Sequence, residues 1–174
     1  MARLRVLEYP DPRLRLHAQP VRVFDGALGD LVEDLFETLY ADRAMGLAAT
    51  QVGVHRQVIV VDVSGNGSDP QVFVNPVIEA RSRMAQVEEG CLSVPQLQVM
   101  VRRATRLRVR AQDRHGQTFV RDCEDLLAVC VQHEMEHLEG RLLVDHLSLF
   151  QRIRLRRRPT AASGKLQHPV ATHP

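Results

Sequence analysis

LLAVCVQHEMEHLEG, residues 126–140, runs from a nearly all-apolar stretch straight into HEMEH at 133–137. At 3.6 residues per turn, His133 and His137 stand one turn apart on one helical face, where two imidazoles can converge on one ion. Glu134 borders the same face and is placed to take a proton from a water that the ion acidifies. The apolar run marks the helix as buried. Two histidines and two glutamates are costly to bury without a compensating partner. The competing reading, histidine and glutamate falling by chance on a solvated helix, sits badly with that run. A metal site on a core helix is therefore expected.

This helix is expected to start near 122–125 and to end at Gly140, a suitable C-cap. Far upstream, DGALGDLVEDLFETLYADRAMG (25–46) repeats Leu28, Leu31, Val32, Leu35, Phe36 and Leu39 at helical spacing, which predicts an amphipathic helix ending near Gly46. Before it, PDPRLR (10–15) reads as an extended or turn segment, because each proline disfavours helix in the residue before it. QVIVVDV (57–63) is β-branched and reads as a buried strand, followed by the loop SGNGSDP (64–70). QVFVNPVIEA (71–80), RMAQVEEG (83–90), RLRVRAQD (106–113) and QTFVRD (117–122) read as further strands, the last two joined by a hairpin turn at RHG (114–116). A short helix is expected in DHLSLFQRIRLRRR (145–158). The strands follow one another without intervening helices. The fold class expected is thus α+β: mixed or antiparallel strands packed around a central buried HExxH helix, with an N-terminal helix and a short C-terminal helix.

The 174 residues suit one domain, placed at 1–158. The Pro-, Ser- and Ala-rich tail 159–174 has little to bury and is expected to be disordered. Hydrophobic residues make up 44% and charged residues 25%, as in ordinary globular chains. A net charge of +2 is too small to imply nucleic-acid binding by itself, although RIRLRRR (152–158) concentrates basic charge near the end. No apolar run approaches the ~18 residues that span a bilayer, so no membrane association is expected. The N-terminus has no continuous apolar stretch of the kind a signal peptide carries. Three cysteines, Cys91, Cys123 and Cys130, make no disulfide framework. A reducing cytoplasm fits, where free thiols can serve as metal ligands.

A catalytic metal site typically uses three protein ligands and leaves a position open. The extended pattern HExxHxxGxxH fails here, because Gly140 matches but Leu143 stands where the third histidine would be. His168 and His173 lie in the tail, and His146 lies nine residues past His137, beyond the expected helix end. Cys91, in EEGCLSVP at the end of a strand and before a turn, can present its sulfur to a site. Its bland alternative is a small buried thiol. Cys130, three before His133, points to the same side of the helix and suits a pocket wall better than a ligand. Residue chemistry favours Cys91 and leaves Cys123, Cys130 and His146 open.

Three stretches, MGLAATQVG (45–53), EGCLS (89–93) and QHEMEHLEG (132–140), resemble in order and spacing the three motifs of the peptide deformylase family. YPDPRLR (9–15) and VRRATRLRVRAQDRHG (101–116) are also similar, and the resemblance covers roughly residues 4–155. It implies a metal held by Cys91, His133 and His137, one per chain: ferrous iron, with Zn2+, Ni2+ or Co2+ able to replace it. It implies hydrolysis of the N-formyl-methionine end of newly made polypeptides to formate and a free amine, in a bacterial cytoplasm. Glu134 would be the general base and then the acid, while the Gln51 side-chain amide and the Leu92 backbone N–H would stabilise the oxyanion. The bland reading of Gln51 is a polar residue capping a turn. Met45, Val87, Leu126, Val129 and Cys130 would line the methionine pocket; their bland reading is core packing, and both can hold. Gly46 would let the substrate backbone come close. Glu89, beside Gly90 in the same substrate-binding set, would hold the loop near Cys91, and Arg103 would contact the peptide further along.

The chain departs from the family pattern at three places: Ala44 where glycine is usual, Thr50 where proline is usual, and Glu136 where aspartate is usual. Ala44 constrains the backbone if positive φ is needed there. Thr50 regains an N–H. Glu136 keeps the charge on a longer arm that could orient a ligand histidine. The arginines at 152, 154, 156, 157 and 158 read as a solvated face or, in line with the family, as a contact with ribosomal RNA. Two other functions compete: an HExxH metallopeptidase cutting internal bonds, and a non-catalytic metal protein gripping peptide N-termini. The second of these needs neither Glu134 nor Gln51.

Overall fold

The computed structural model describes residues 2–156. In chain order it contains α1 (Gly26–Ala41), β1 (Gly46–Ala48), β2 (Val58–Val61), β3 (Gln71–Cys91), β4 (Val94–Gln112), β5 (Thr118–Glu124), α2 (Asp125–Leu138) and α3 (Leu149–Arg156). Short 3-10 turns occupy Pro12–Arg15, Ala49–Val52 and Leu143–His146. The five strands form one sheet in chain order, each antiparallel to the next. The class is α+β. The expected disordered tail, Arg157 and Arg158, and His168 and His173 lie outside the described residues.

β2 explains how the sheet and helices share one core. All four of its residues are buried. Successive side chains point to opposite faces. Val58 and Val60 join a cluster with Leu28, Leu35 and Leu39 of α1, whereas Ile59 and Val61 join one with Ala128 and Val131 of α2. The unbroken β-branched run is thus a strand covered on both faces. α1 starts where the Asp25 carboxylate accepts the Leu28 N–H at 3.1 Å. It ends at Ala41, short of the expected Gly46, because Arg43 takes φ +53° and turns the chain into β1. Asp125, at φ +49°, makes the equally sharp turn from β5 into α2. Past the end of α2, Gly140 has φ +68°, and a Cβ there would strike the carbonyl of Arg15.

The two strands expected at 71–80 and 83–90 are one strand, β3, of 21 residues, and its partner β4 begins at Val94. The reason is physical. Residues 79–84 are exposed, so no alternation of apolar and polar side chains marks them as strand. Pairing with β4 holds them instead, through register shifts at Val74/Val77 and Ile78/Ala80. β1 is only three residues long and was likewise not predicted.

The contrast between sandwiched β2 and exposed β3 sets a stability test. Ile59→Ala should cost about 2–5 kcal/mol. Met84→Ala, on the exposed length of β3, should stay within about 0.5 kcal/mol. Denaturant titration of both variants with metal supplied checks the difference.

Candidate metal centre and active-site cleft

α2 carries His133, Glu134 and His137, and its buried residues include Glu134 and His137. Cys91 ends β3 and pairs with Val94 of β4, so Leu92 and Ser93 form the tip of the hairpin. This antiparallel return carries the hairpin tip to α2. The Sγ of Cys91 lies 3.2 Å from Nε2 of His137. Donor atoms of Cys91, His133 and His137 all lie within 4.8 Å of one another, the one such group of three among the described residues. The imidazoles stand edge to face, 5.0 Å apart. The other candidates are occupied elsewhere. Cys123 sits in the α2 side of the core, Cys130 lines the cleft, and His146 bonds to Glu136.

The donor set fits a metal. Nδ1 of His133 lies 2.8 Å from the Glu89 carboxylate, which leaves Nε2 for the cluster. His137 is buried and its Nδ1 has no hydrogen-bond partner among the described residues. Burial, with His133 and Arg103 nearby, holds its pKa well below the usual imidazole range, so it offers a lone pair. For His133 burial acts in the same direction, but hydrogen bonds to Cys91 and Glu89 outweigh it and raise the pKa well above normal. One thiol and two imidazoles are a donor set that several first-row metals accept.

Arg103, expected to contact the peptide, pairs with two carboxylates in this structure. It is 4% exposed and forms no wall of the cleft. Its guanidinium donates to Glu89 at 2.6 and 3.0 Å and to Glu136 at 2.8 and 3.0 Å. Glu89, two residues before Cys91, bridges Arg103 and His133. Burial would raise its pKa, yet the hydrogen bonds from His133 and Arg103 bring it down to about 2. Glu136 does not orient a ligand histidine directly: its carboxylate is taken by Arg103, by His146 at 2.9 Å and by Arg141 at 3.4 Å. The Arg103 guanidinium fork thus reaches two carboxylates at once.

Glu134 is buried at the cleft edge, and burial raises its pKa to about 7. Its room comes from Gly46: a Cβ there would lie 2.5 Å from Oε1 of Glu134. Gly46 thus admits the Glu134 side chain and also lies on the cleft. Gln51 is 2% exposed. Its Oε1 accepts the Ala48 N–H at 2.8 Å, and its Nε2 then points to Ser93 Oγ at 3.2 Å and Cys91 Sγ at 3.7 Å. So Gln51 does cap its turn, and the cap aims the amide at the thiol.

Three supports were not read from the sequence. The N-terminal segment clips both motifs, Leu7 N–H to the Gln51 carbonyl at 2.7 Å and Tyr9 N–H to the Ser93 carbonyl at 2.8 Å. The Thr50 hydroxyl donates to the His137 carbonyl at 3.1 Å, tying the first motif to the end of α2. Ala44 needs no left-handed backbone, since the neighbouring Arg43 takes it. Local sequence carries little signal for such pairs, which lie far apart in the chain.

A cleft of about 390 Å3 opens beside these groups. Met45, Gly46, Val87, Glu89 and Gly90 lie on it, as do Leu126, Val129 and Cys130. Leu92 and Gln51 also reach it, and the β4 residues Pro95, Leu97 and Gln98 extend it beyond the expected set.

A family model described as polypeptide deformylase matches residues 3–152. The peptide deformylase of Hahella chejuensis is 50% identical over 159 residues, 91% of this chain and 95% of that protein. That of Cellvibrio japonicus is 52% identical over 157 residues, 90% and 93% of the two chains. The crystal structure of a peptide deformylase from Legionella pneumophila superimposes with a TM-score of 0.86 at 44% identity, covering 90% of this chain and 92% of that one. One from Ehrlichia chaffeensis, in complex with actinonin, gives 0.84 at 34% identity, covering 91% and 100%. Matched over nearly its whole described length, with a thiol and two imidazoles gathered at one point, the chain belongs to the peptide deformylase family, the metal-dependent hydrolases that remove the formyl group from the N-formylmethionine of nascent polypeptides.

Proposed function

We propose that Cys91, His133 and His137 hold one ferrous iron per chain, replaceable by Zn2+, Ni2+ or Co2+, and that Glu134 moves the protons of the reaction. The observation that carries this reading is the convergence of a thiol and two imidazoles, their donor atoms within 4.8 Å of one another, beside the Glu134 carboxylate, whose burial raises its pKa to about 7. Such a pKa suits a group that must both accept and release a proton near neutrality. Held by Cys91, His133 and His137, the ion would supply Lewis acidity toward the formyl oxygen and the attacking water.

Glu134 accepts a proton from the attacking water as its oxygen bonds to the formyl carbon. It delivers the proton to the nitrogen as the C–N bond breaks, so formate and a free α-amine leave. Gln51 Nε2, aimed by the Ala48 cap, and the Leu92 N–H at the hairpin tip donate to the oxyanion. The methionine side chain packs against Met45, Val87, Leu126, Val129 and Cys130, a largely apolar wall. The catalytic unit spans 1–158. No helix among the described residues is long and apolar enough to cross a membrane. With free cysteines and a nascent-chain substrate, that supports action in a bacterial cytoplasm. The basic segment from Arg152 onward provides a contact for ribosomal RNA.

Formate release from a formyl-Met tripeptide tests the roles. Glu134→Ala should lose about 10^2–10^4-fold in rate while keeping its metal. Gln51→Ala should lose about 10^2–10^3-fold in kcat. Wild-type rate in the glutamate variant sinks the mechanism. Metal analysis tests the ligand set, where Cys91→Ser should bind less than one ion per chain under conditions that saturate wild type. Cosedimentation with ribosomes should be lost when residues 150–174 are removed.

A further inference from the structure

We infer that His146 is a positioning residue for the metal ligand His133, acting through Glu136, Arg103 and Glu89. The inference rests on His133 being a ligand. The chain of contacts is continuous: His146 Nε2 to Glu136 Oε2 at 2.9 Å, Glu136 to Arg103 at 2.8 and 3.0 Å, Arg103 to Glu89 at 2.6 and 3.0 Å, and Glu89 to His133 Nδ1 at 2.8 Å. It runs from the 3-10 turn after α2, through α2 and β4, to the end of β3 and back to α2.

Each link constrains the next. Arg103 is buried and has to satisfy two carboxylates at once. Glu136 is its outer partner and is also within reach of the more exposed Arg141. The His146 N–H holds Glu136 on the Arg103 side. Without it, Glu136 gains freedom to swing to Arg141 and solvent, and the Arg103 fork is no longer held square on Glu89. The orientation of the His133 ring then slackens, and ring orientation is what such partners control in metal sites. His146 is itself held from outside. Its neighbour Asp145 accepts the Leu142 N–H at 2.9 Å and pairs with Arg15, while Arg152 of α3 donates to the Asp145 carbonyl and to the Leu147 carbonyl at 3.1 Å. The segment after the HExxH helix is thereby coupled to the metal centre.

The test is the rate at which a chelator strips cobalt from the loaded protein, followed by the cobalt absorption. His146→Ala should lose metal about 10-fold faster, the low end for partners outside the ligand set. His146→Gln, which keeps a donor near the Nε2 position, should restore most of the wild-type rate. Val144→Ala removes buried side chain from the same turn without touching Glu136. It should lower the thermal midpoint but leave metal loss unchanged. If His146→Ala fails to fold, Glu136→Gln reads the same link and should also speed loss. Wild-type metal loss in the foldable variant overturns the inference, as does equal acceleration by Val144→Ala. Failure of the ligand reading is a separate result, seen as unchanged metal content in His133→Ala.

Discussion

A guanidinium buried between two carboxylates is the constraint on which the centre depends. Arg103 from β4 holds Glu89 from β3 and Glu136 from α2. Removing one member of such a buried set typically costs about 3–5 kcal/mol, because the remaining charges lose both water and partner. Packing alone tolerates small slides of a helix on a sheet. A forked donor meeting two carboxylates tolerates far less. The cluster therefore fixes the position of α2 against the β3–β4 hairpin, and with it the meeting of His133 and His137 with Cys91. It also gives Glu89 the charge that orients His133.

The reactive groups are placed by the same economy of contacts. Glu134 is buried with no ion-pair partner among the described residues, and burial makes it hold its proton more tightly. It fits only because β1 presents a glycine, Gly46, against it. Gln51 spends its oxygen on the Ala48 N–H, and the remaining amide group is left facing the thiol of Cys91. Residues that look like routine turn and strand positions thus decide where a proton and an oxyanion can be handled.

Legibility in the sequence followed burial. α1, β2 and α2 were readable because each buries a face, and burial writes a period into the chain. The length of the β3–β4 hairpin was not, since its exposed residues are held by backbone pairing that accepts polar side chains on either face. At the site, HEMEH was readable because its two histidines are one turn apart. Cys91 was favoured by its setting and by resemblance. The carboxylate partners of Arg103 were not legible, because a lone arginine in a basic strand looks the same whether it faces solvent or a pair of buried carboxylates.

Local sequence by itself determined the helical face that carries the two imidazoles and the base, the apolar elements that must pack together, and, through three motifs in register, the family. Tertiary structure alone decided which partners those groups meet. Glu136 answers to Arg103 and His146, Gly46 makes room for Glu134, and the N-terminal segment clips Gln51 and Ser93. The division has a physical cause. Periodicity records the burial of a residue against the average interior, whereas a hydrogen bond or ion pair depends on one particular atom brought in from a distant point of the chain.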